Sequence, residues 1–399
     1  MKRSSSELQA ALAFLDREHL RRTRRTIEAF SEPGSRVAVI VDGRAVVDFS
    51  SNDYLGLARH PAVAAAMSDC ADRLGAGSGA SHLVTGHGAE HQRLEEELAD
   101  FTGRERALLF STGYMANLAV VTTLAGRGEA VLLDRLSHAS LIDAGLLSGA
   151  RFKRYAHADA MAAEAALSEH AETAAIVATD GVFSMDGDVG PLDALARASR
   201  NHHAWLVVDD AHGLGVVGAR GRGTVEGFGL DADAVPVLVG TLGKAFGSFG
   251  AFIAGSADLV ELLMQKARSY IYTTALPQPV AAASRKALQI AQRETWRRER
   301  VLALTARFRA AASHVGLPLL TTATLTPIQP VILGSSEATL SAQNELLAAG
   351  YCVVAIRPPT VPRGGARLRV TLSAAHTETQ VDGLVEALCR ACARENVIS

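Results

Sequence analysis

The 399-residue chain balances 40 basic against 42 acidic residues, so it carries no cationic field that would draw nucleic acid or an anionic membrane surface. At 48% hydrophobic and 21% charged it is too apolar for a disordered chain and long enough for a large core in two domains. Four cysteines give no disulfide framework at this size, and no window approaches about 18 uninterrupted apolar residues, so a cytoplasmic protein without a membrane span is expected.

Residues 7–30 read as one Arg-rich amphipathic helix, with Leu8, Leu12, Leu15 and Leu20 on one side and Arg17, Arg21, Arg22, Arg24 and Arg25 on the other. The basic side is a solvated face, or it supplies an arginine for an anionic substrate. Acidic residues at 7, 16, 18 and 28 argue against an organelle presequence. Apolar runs at 37–41 and 45–49 flank Asp42-Gly43-Arg44 and predict a hairpin. The chain therefore divides into an N-terminal segment (1–55), a large domain (56–285) and a small C-terminal α/β domain (286–399).

The Gly-rich stretch 75–81 lacks the Lys-Ser/Thr of a P-loop. His87-Gly88-Ala89-Glu90-His91 has the inverted-zincin order, but it leads into a helix whose apolar face is Leu94, Leu98 and Phe101, so coincidence is the expectation. From 106 to 255, apolar β-branched runs at 107–110, 130–133, 175–178, 205–208, 235–239 and 251–254 alternate with helical stretches. Such runs predict a mostly parallel sheet with helices on both faces and ligands at the carboxyl ends of the strands. Beyond 285 come a helix at 301–315 and strands at 328–333, 351–356 and 368–372. A terminal helix follows, opened by a Thr377/Gln380 capping box. Cys389 and Cys392 continue its apolar face, and no second pair completes a zinc site.

Five strand ends carry polar chemistry. Phe110-Ser111-Thr112-Gly113-Tyr114 passes from strand to helix and offers amides at Gly113 and Tyr114, either as a phosphate cradle or as a capped helix start. Asp134-Arg135-Leu136-Ser137-His138 brings an imidazole that could stack on a flat ring, and Ser184 follows the strand at 175–178. Trp205-Leu206-Val207-Val208-Asp209-Asp210-Ala211-His212 ends a buried strand in carboxylates and a histidine; Asp209 suits a ring nitrogen, a metal or a helix cap. The following Gly213-Leu214-Gly215-Val216-Val217-Gly218 matches a dinucleotide fingerprint but runs on into more loop. Thr241-Leu242-Gly243-Lys244 lies between two apolar runs; Lys244 is a surface lysine in a tight turn or a desolvated amine that traps a carbonyl. Pyridoxal 5'-phosphate (PLP) uses all of these groups together.

Thr241 to Gly250 resembles the cofactor-attachment signature of the α-oxoamine synthases, a family of fold-type I PLP-dependent enzymes. The resemblance extends to Ser50-Ser51-Asn52-Asp53-Tyr54-Leu55-Gly56-Leu57, to 134–141, and to the tail at 355–362 and 366–376. The tail points to the branch that condenses L-alanine with a pimeloyl thioester, on CoA or acyl-carrier protein, in biotin biosynthesis. The resemblance implies that Lys244 carries PLP covalently and then acts as the base, that Asp209 pairs with the pyridinium, and that His138 stacks on the ring. Ser184 and His212 would contact the phenolic oxygen, and Gly113, Tyr114 and Thr241 would serve the cofactor or its phosphate. Arg369 would clamp the alanine carboxylate, Asn52 would lie near the reacting groups, and Arg21 and Thr360 would line the acyl path. A homodimer is implied, with Tyr272-Thr273-Thr274 reaching the neighbouring site. Asp180, Tyr114, Leu214 and His82 depart from common family residues, and His82 bears on acyl-chain preference. Another α-oxoamine synthase, such as glycine C-acetyltransferase, is the alternative; a non-catalytic partner subunit is a remote one, since Lys244 is retained.

Overall fold

The computed structural model describes residues 5–320 and 322–395. Among these residues, backbone packing separates one unit, 52–300, from another formed by the described residues up to 51 and from 301 onward. Helix Gln278–Arg293 belongs to the larger unit. Arg285 explains why: its Nη1 and Nη2 donate to Glu90 Oε2 and Glu97 Oε1, both at 2.6 Å, on helix Ala89–Thr102. The first and last boundaries thus fall at 51/52 and 300/301, compared with 55/56 and 285/286 on sequence grounds.

The larger unit is built on seven strands. Their spatial order is Arg106–Phe110, Ala251–Gly255, Val237–Thr241, Trp205–Asp209, Ala174–Asp180, Ala130–Asp134 and Arg151–Tyr155. Ala251–Gly255 runs antiparallel to both neighbours, and the other pairings are parallel. Successive residues alternate between two cores, as a strand must. Val131, Leu133, Ile176 and Val207 face the core that includes helix Gly113–Leu124, whereas Leu132, Val177, Leu206 and Val208 face the core of helices Ala160–Glu169 and Leu192–Asn201. Covered on both faces, the strands leave their carboxyl ends as the place for polar groups.

The smaller unit holds a four-stranded sheet, Ile27–Phe30, Ala38–Val41, Arg44–Asp48 and Tyr351–Cys352, and a three-stranded one, Ile328–Gly334, Ala366–Thr371 and Val354–Ile356. The run expected as one strand at 351–356 therefore divides at Val353 between two sheets. The expected helix at 7–30 is also corrected. It spans Ser5–Arg17, left-handed His19 (φ 53°) ends it, and Ile27–Phe30 pairs antiparallel with Ala38–Val41. Ladder hydrogen bonds reward that second stretch more than a helix with no buried residue could. The capping box at Thr377 and Gln380 opens helix Glu378–Arg394 as expected. No described helix is long and apolar enough to cross a membrane.

Candidate active site

Lys244 sits in a tight loop between the antiparallel strands Val237–Thr241 and Ala251–Gly255. Leu242 N donates to Gly250 O at 2.8 Å and Ser248 N to Leu242 O at 2.9 Å, closing the loop. Gly247 makes the closure feasible, because its φ of 61° is left-handed and a Cβ there would strike the Leu57 and Ala58 backbone. Lys244 is half-buried rather than fully desolvated. Its Nζ donates to His212 Nε2 at 2.8 Å. On the ring's other side, His212 Nδ1 lies 2.6 Å from the Tyr54 hydroxyl, which in turn donates to Asn52 Oδ1 at 3.1 Å. The network assigns the proton of neutral His212 to Nδ1 and leaves Nε2 as the acceptor for the amine.

A second network radiates from Asp209, at the carboxyl end of Trp205–Asp209. Asn117 Nδ2 donates to Asp209 Oδ2 at 2.7 Å and to Ser140 Oγ at 2.8 Å. Ser140 Oγ lies 2.7 Å from His138 Nδ1, which also accepts from Ser140 N at 3.3 Å. His138 Nδ1 is thus an acceptor, and its proton sits on Nε2. Burial and Lys244 lower the His138 pKa while Asp209 opposes them, which keeps the imidazole neutral. Asp180 stands in register with Asp209 on the neighbouring strand and receives His138 N at 3.0 Å. Burial and then the Asp209 charge push the Asp180 carboxyl well up.

The strand-to-helix passage at Thr112 is also in place. Thr112 Oγ1 accepts from Met115 N at 3.2 Å, and Gly113 and Tyr114 open helix Gly113–Leu124 at its positive end. A Cβ added at Gly113 would meet nothing within 4 Å, so this helix start faces open space. The Tyr114 hydroxyl is engaged by Asp143. Thr241 Oγ1 donates to Gly250 O at 3.0 Å and accepts from Gly243 N at 3.2 Å, so its hydroxyl serves the loop. Ser184 is half-buried in the turn after Ala174–Asp180. That turn is tied to its neighbours by His157, whose Nδ1 and Nε2 each lie 2.9 Å from Asp134 Oδ1 and Asp188 Oδ2. Burial opposes the His157 charge, but the two carboxylate bonds outweigh it and carry the pKa up to about 9.

The larger unit thus gathers Asn52, Gly113, Tyr114, His138, Ser184, Asp209, His212, Thr241 and Lys244. Tyr54, Asn117, Ser140 and Asp180 join them from outside the sequence expectation. Asn117 lies one turn beyond Gly113 on the same helix, a spacing that points it the same way. Arg21, Thr360 and Arg369 belong to the smaller unit. There Arg22 Nη2 donates to Thr360 Oγ1 at 3.0 Å, and Arg21 pairs with Asp16 at 2.8 Å. Arg21 and Thr360 line a cavity of about 470 Å³, and Arg369 is buried on strand Ala366–Thr371.

Two further motifs are bonded or packed into the surrounding structure. His82, His87 and His91 bring ring nitrogens within 4.8 Å of one another. Yet His91 spends both nitrogens on backbone, accepting from Gly88 N at 2.9 Å and donating to Leu276 O at 2.6 Å, while His82 and His87 bond each other at 2.9 Å. Burial then lowers the His82 pKa to about 3. Of the apparent dinucleotide glycines, Gly213 makes room for the Asp210 carboxyl, Gly215 for Ala245 and Gly218 for Glu226, and outside the fingerprint a Cβ at Gly181 or Gly223 would also collide with Asp210. Asp210 Oδ2 accepts from Thr224 N at 2.6 Å, and burial pushes its pKa up to about 7.

The groups present fit PLP. A buried carboxylate, a neutral imidazole and an amine share one sheet edge with a helix N-terminus open to space, and Asn117 Oδ1 is a buried acceptor without a partner beside Asp209. The chain matches the aminotransferase class I and II family over residues 44–388. It is 58% identical over 386 residues to 8-amino-7-oxononanoate synthase from Methylococcus capsulatus, covering 97% of this chain and 98% of that one. A high-resolution structure of SPT with PLP superposes with a TM-score of 0.91 at 30% identity, covering 99% of this chain and 98% of that one. The 8-amino-7-oxononanoate synthase from Francisella tularensis superposes with a TM-score of 0.76 at 31% identity, covering 88% and 99%. This chain, with Lys244, Asp209 and His138 at one edge of an aminotransferase sheet, belongs to the 8-amino-7-oxononanoate synthase family of PLP-dependent acyltransferases.

Proposed function

We propose that the protein condenses L-alanine with a pimeloyl thioester, on CoA or acyl-carrier protein, to give 8-amino-7-oxononanoate, CO2 and the free carrier. The observation that carries this reading is the 2.8 Å contact of Lys244 Nζ with His212 Nε2, on the sheet edge that also holds Asp209 and His138. PLP, when bound, supplies an electron sink for negative charge developing at the alanine Cα. Asp209, fixed by Asn117, would hold the ring nitrogen's proton. Lys244 would carry the cofactor and afterwards, as a free amine, take and return the proton at Cα. His212 offers that amine an acceptor, and Tyr54 with Asn52 fixes the imidazole's orientation.

His138 would lie against the ring face, Ser184 and His212 would serve its phenolic oxygen, and Gly113, Tyr114 and Thr241 its phosphate. Arg369 would hold the alanine carboxylate by its planar fork, and Arg21 and Thr360 the acyl chain. We place the reaction in the cytoplasm, in keeping with four unbridged cysteines, and in a homodimer. Tyr272 supports the dimer, because an aromatic left 71% exposed beneath the Arg268 guanidinium is the kind of surface a second copy covers. The test is a substrate panel read by product mass. Alanine with pimeloyl-CoA should give the dominant turnover, whereas preference for glycine with acetyl-CoA would overturn the assignment.

A further inference from the structure

We infer that Arg36, in the cavity of the smaller unit, anchors the distal carboxylate of the acyl chain and so selects a dicarboxylic thioester over a monocarboxylic one. The inference rests on the proposed pimeloyl reading and deepens it, since nothing in that reading says what meets the far end of the chain. The cavity, about 470 Å³, lies within the usual small-molecule range of about 300–1,000 Å³. Its apolar walls include Leu20, Ile27, Val39, Val41, Leu340 and Val353, which suit methylenes. Five arginines, Arg21, Arg22, Arg25, Arg36 and Arg357, line it against the single acid Asp48. Apolar walls with a cationic excess fit a chain that ends in an anion.

Arg36 is singled out by what the other four are doing. Arg21 pairs with Asp16 at 2.8 Å, Arg22 donates to Thr360 at 3.0 Å, and Arg25 donates to Asn344 at 3.2 Å. Arg357 holds the carbonyls of His19 and Arg21. Arg36 lies over the Phe30 ring at 5.3 Å, and its Nη1 is buried without a hydrogen-bond partner. A buried guanidinium nitrogen left unbonded is costly, and a carboxylate is the planar partner it matches. Asp48 does not fill that role: its Oδ1 accepts from Ser50 N at 2.9 Å, and burial raises its pKa, with Arg36 only pulling it back through space. A second carboxylate entering beside it would raise that pKa further and leave the guanidinium to the ligand.

The experiment compares pimeloyl-CoA with heptanoyl-CoA, equal in chain length but lacking the distal carboxylate, in holoenzyme turnover with L-alanine. Arg36→Met should lower kcat/KM for pimeloyl-CoA by at least about tenfold, the size of a lost charged hydrogen bond, and leave heptanoyl-CoA within about twofold. Arg36→Lys, which keeps the charge and serves if the methionine variant fails to fold, should retain part of the discrimination. An unchanged pimeloyl-to-heptanoyl ratio in the folded variants would overturn the role of Arg36. Calorimetric binding of both thioesters to wild type and variants gives the same ratio without turnover, so a wild type that uses another amino acid or acyl group contradicts the proposed function visibly and separately.

Discussion

Asp209 acts as a pyridinium partner only if its carboxylate is held in place, and Asn117 does the holding at 2.7 Å. Asn117→Ala removes a hydrogen bond to a buried charge, worth about 1.5–3 kcal/mol, so PLP should bind about tenfold or more weakly in a fluorescence titration. His157 carries a pH dependence of its own. Its folded pKa is about 9, above the ordinary value of 6.5, so its stabilisation is complete below pH 6.5 and is lost as pH rises through 9. Thermal melts at pH 6.5 and 9.5 should show wild type losing about 1–3 kcal/mol more than His157→Gln across that interval. Equal losses would mean that His157 is uncharged. At this scale the sequence displayed the groups that end strands, such as Asp209, His212 and Lys244. It did not display Asn117 or Ser140, because a polar residue inside a helix shows its partner only once the helix is packed.

Among elements, the loop from Gly213 to Gly223 shows how one pattern can arise from a different cause. Gly213 and Gly223 lie against the Asp210 carboxyl, Gly215 against Ala245 and Gly218 against Glu226, and Gly223 also has φ 92°, a region that costs an L side chain strain. Gly223→Ala should therefore destabilise the protein by roughly 2–4 kcal/mol in chemical denaturation, with no change in affinity for nicotinamide dinucleotides. The periodicity marked the buried strands well because a sheet covered on both faces needs continuous apolar runs. It missed Arg151–Tyr155, an edge strand whose Arg, Lys and Arg face outward, and it ran helix Ser5–Arg17 on into a strand. Helical and extended pairing differ there through a partner, Ala38–Val41, that only the fold brings alongside.

For the molecule as a whole, the parallel sheet and the polar groups at its carboxyl edge were legible, since strand–helix alternation dictates both. The division into units was less so, because residues on either side of 285 share one helix, and only the contacts that helix makes assign all of it to the larger unit. The proposed homodimer predicts a solution mass of twice the 41.9 kDa chain, and a Tyr272→Glu variant should shift it toward the monomer in analytical ultracentrifugation. The central claim is that Lys244, alone among the chain's five lysines, carries PLP. Borohydride reduction of the holoenzyme followed by peptide mass mapping tests it directly. The pyridoxyl adduct should fall on the peptide containing Lys244 and vanish in Lys244→Ala together with CO2 release from alanine; an adduct on another lysine, or none on the active wild type, would contradict the account.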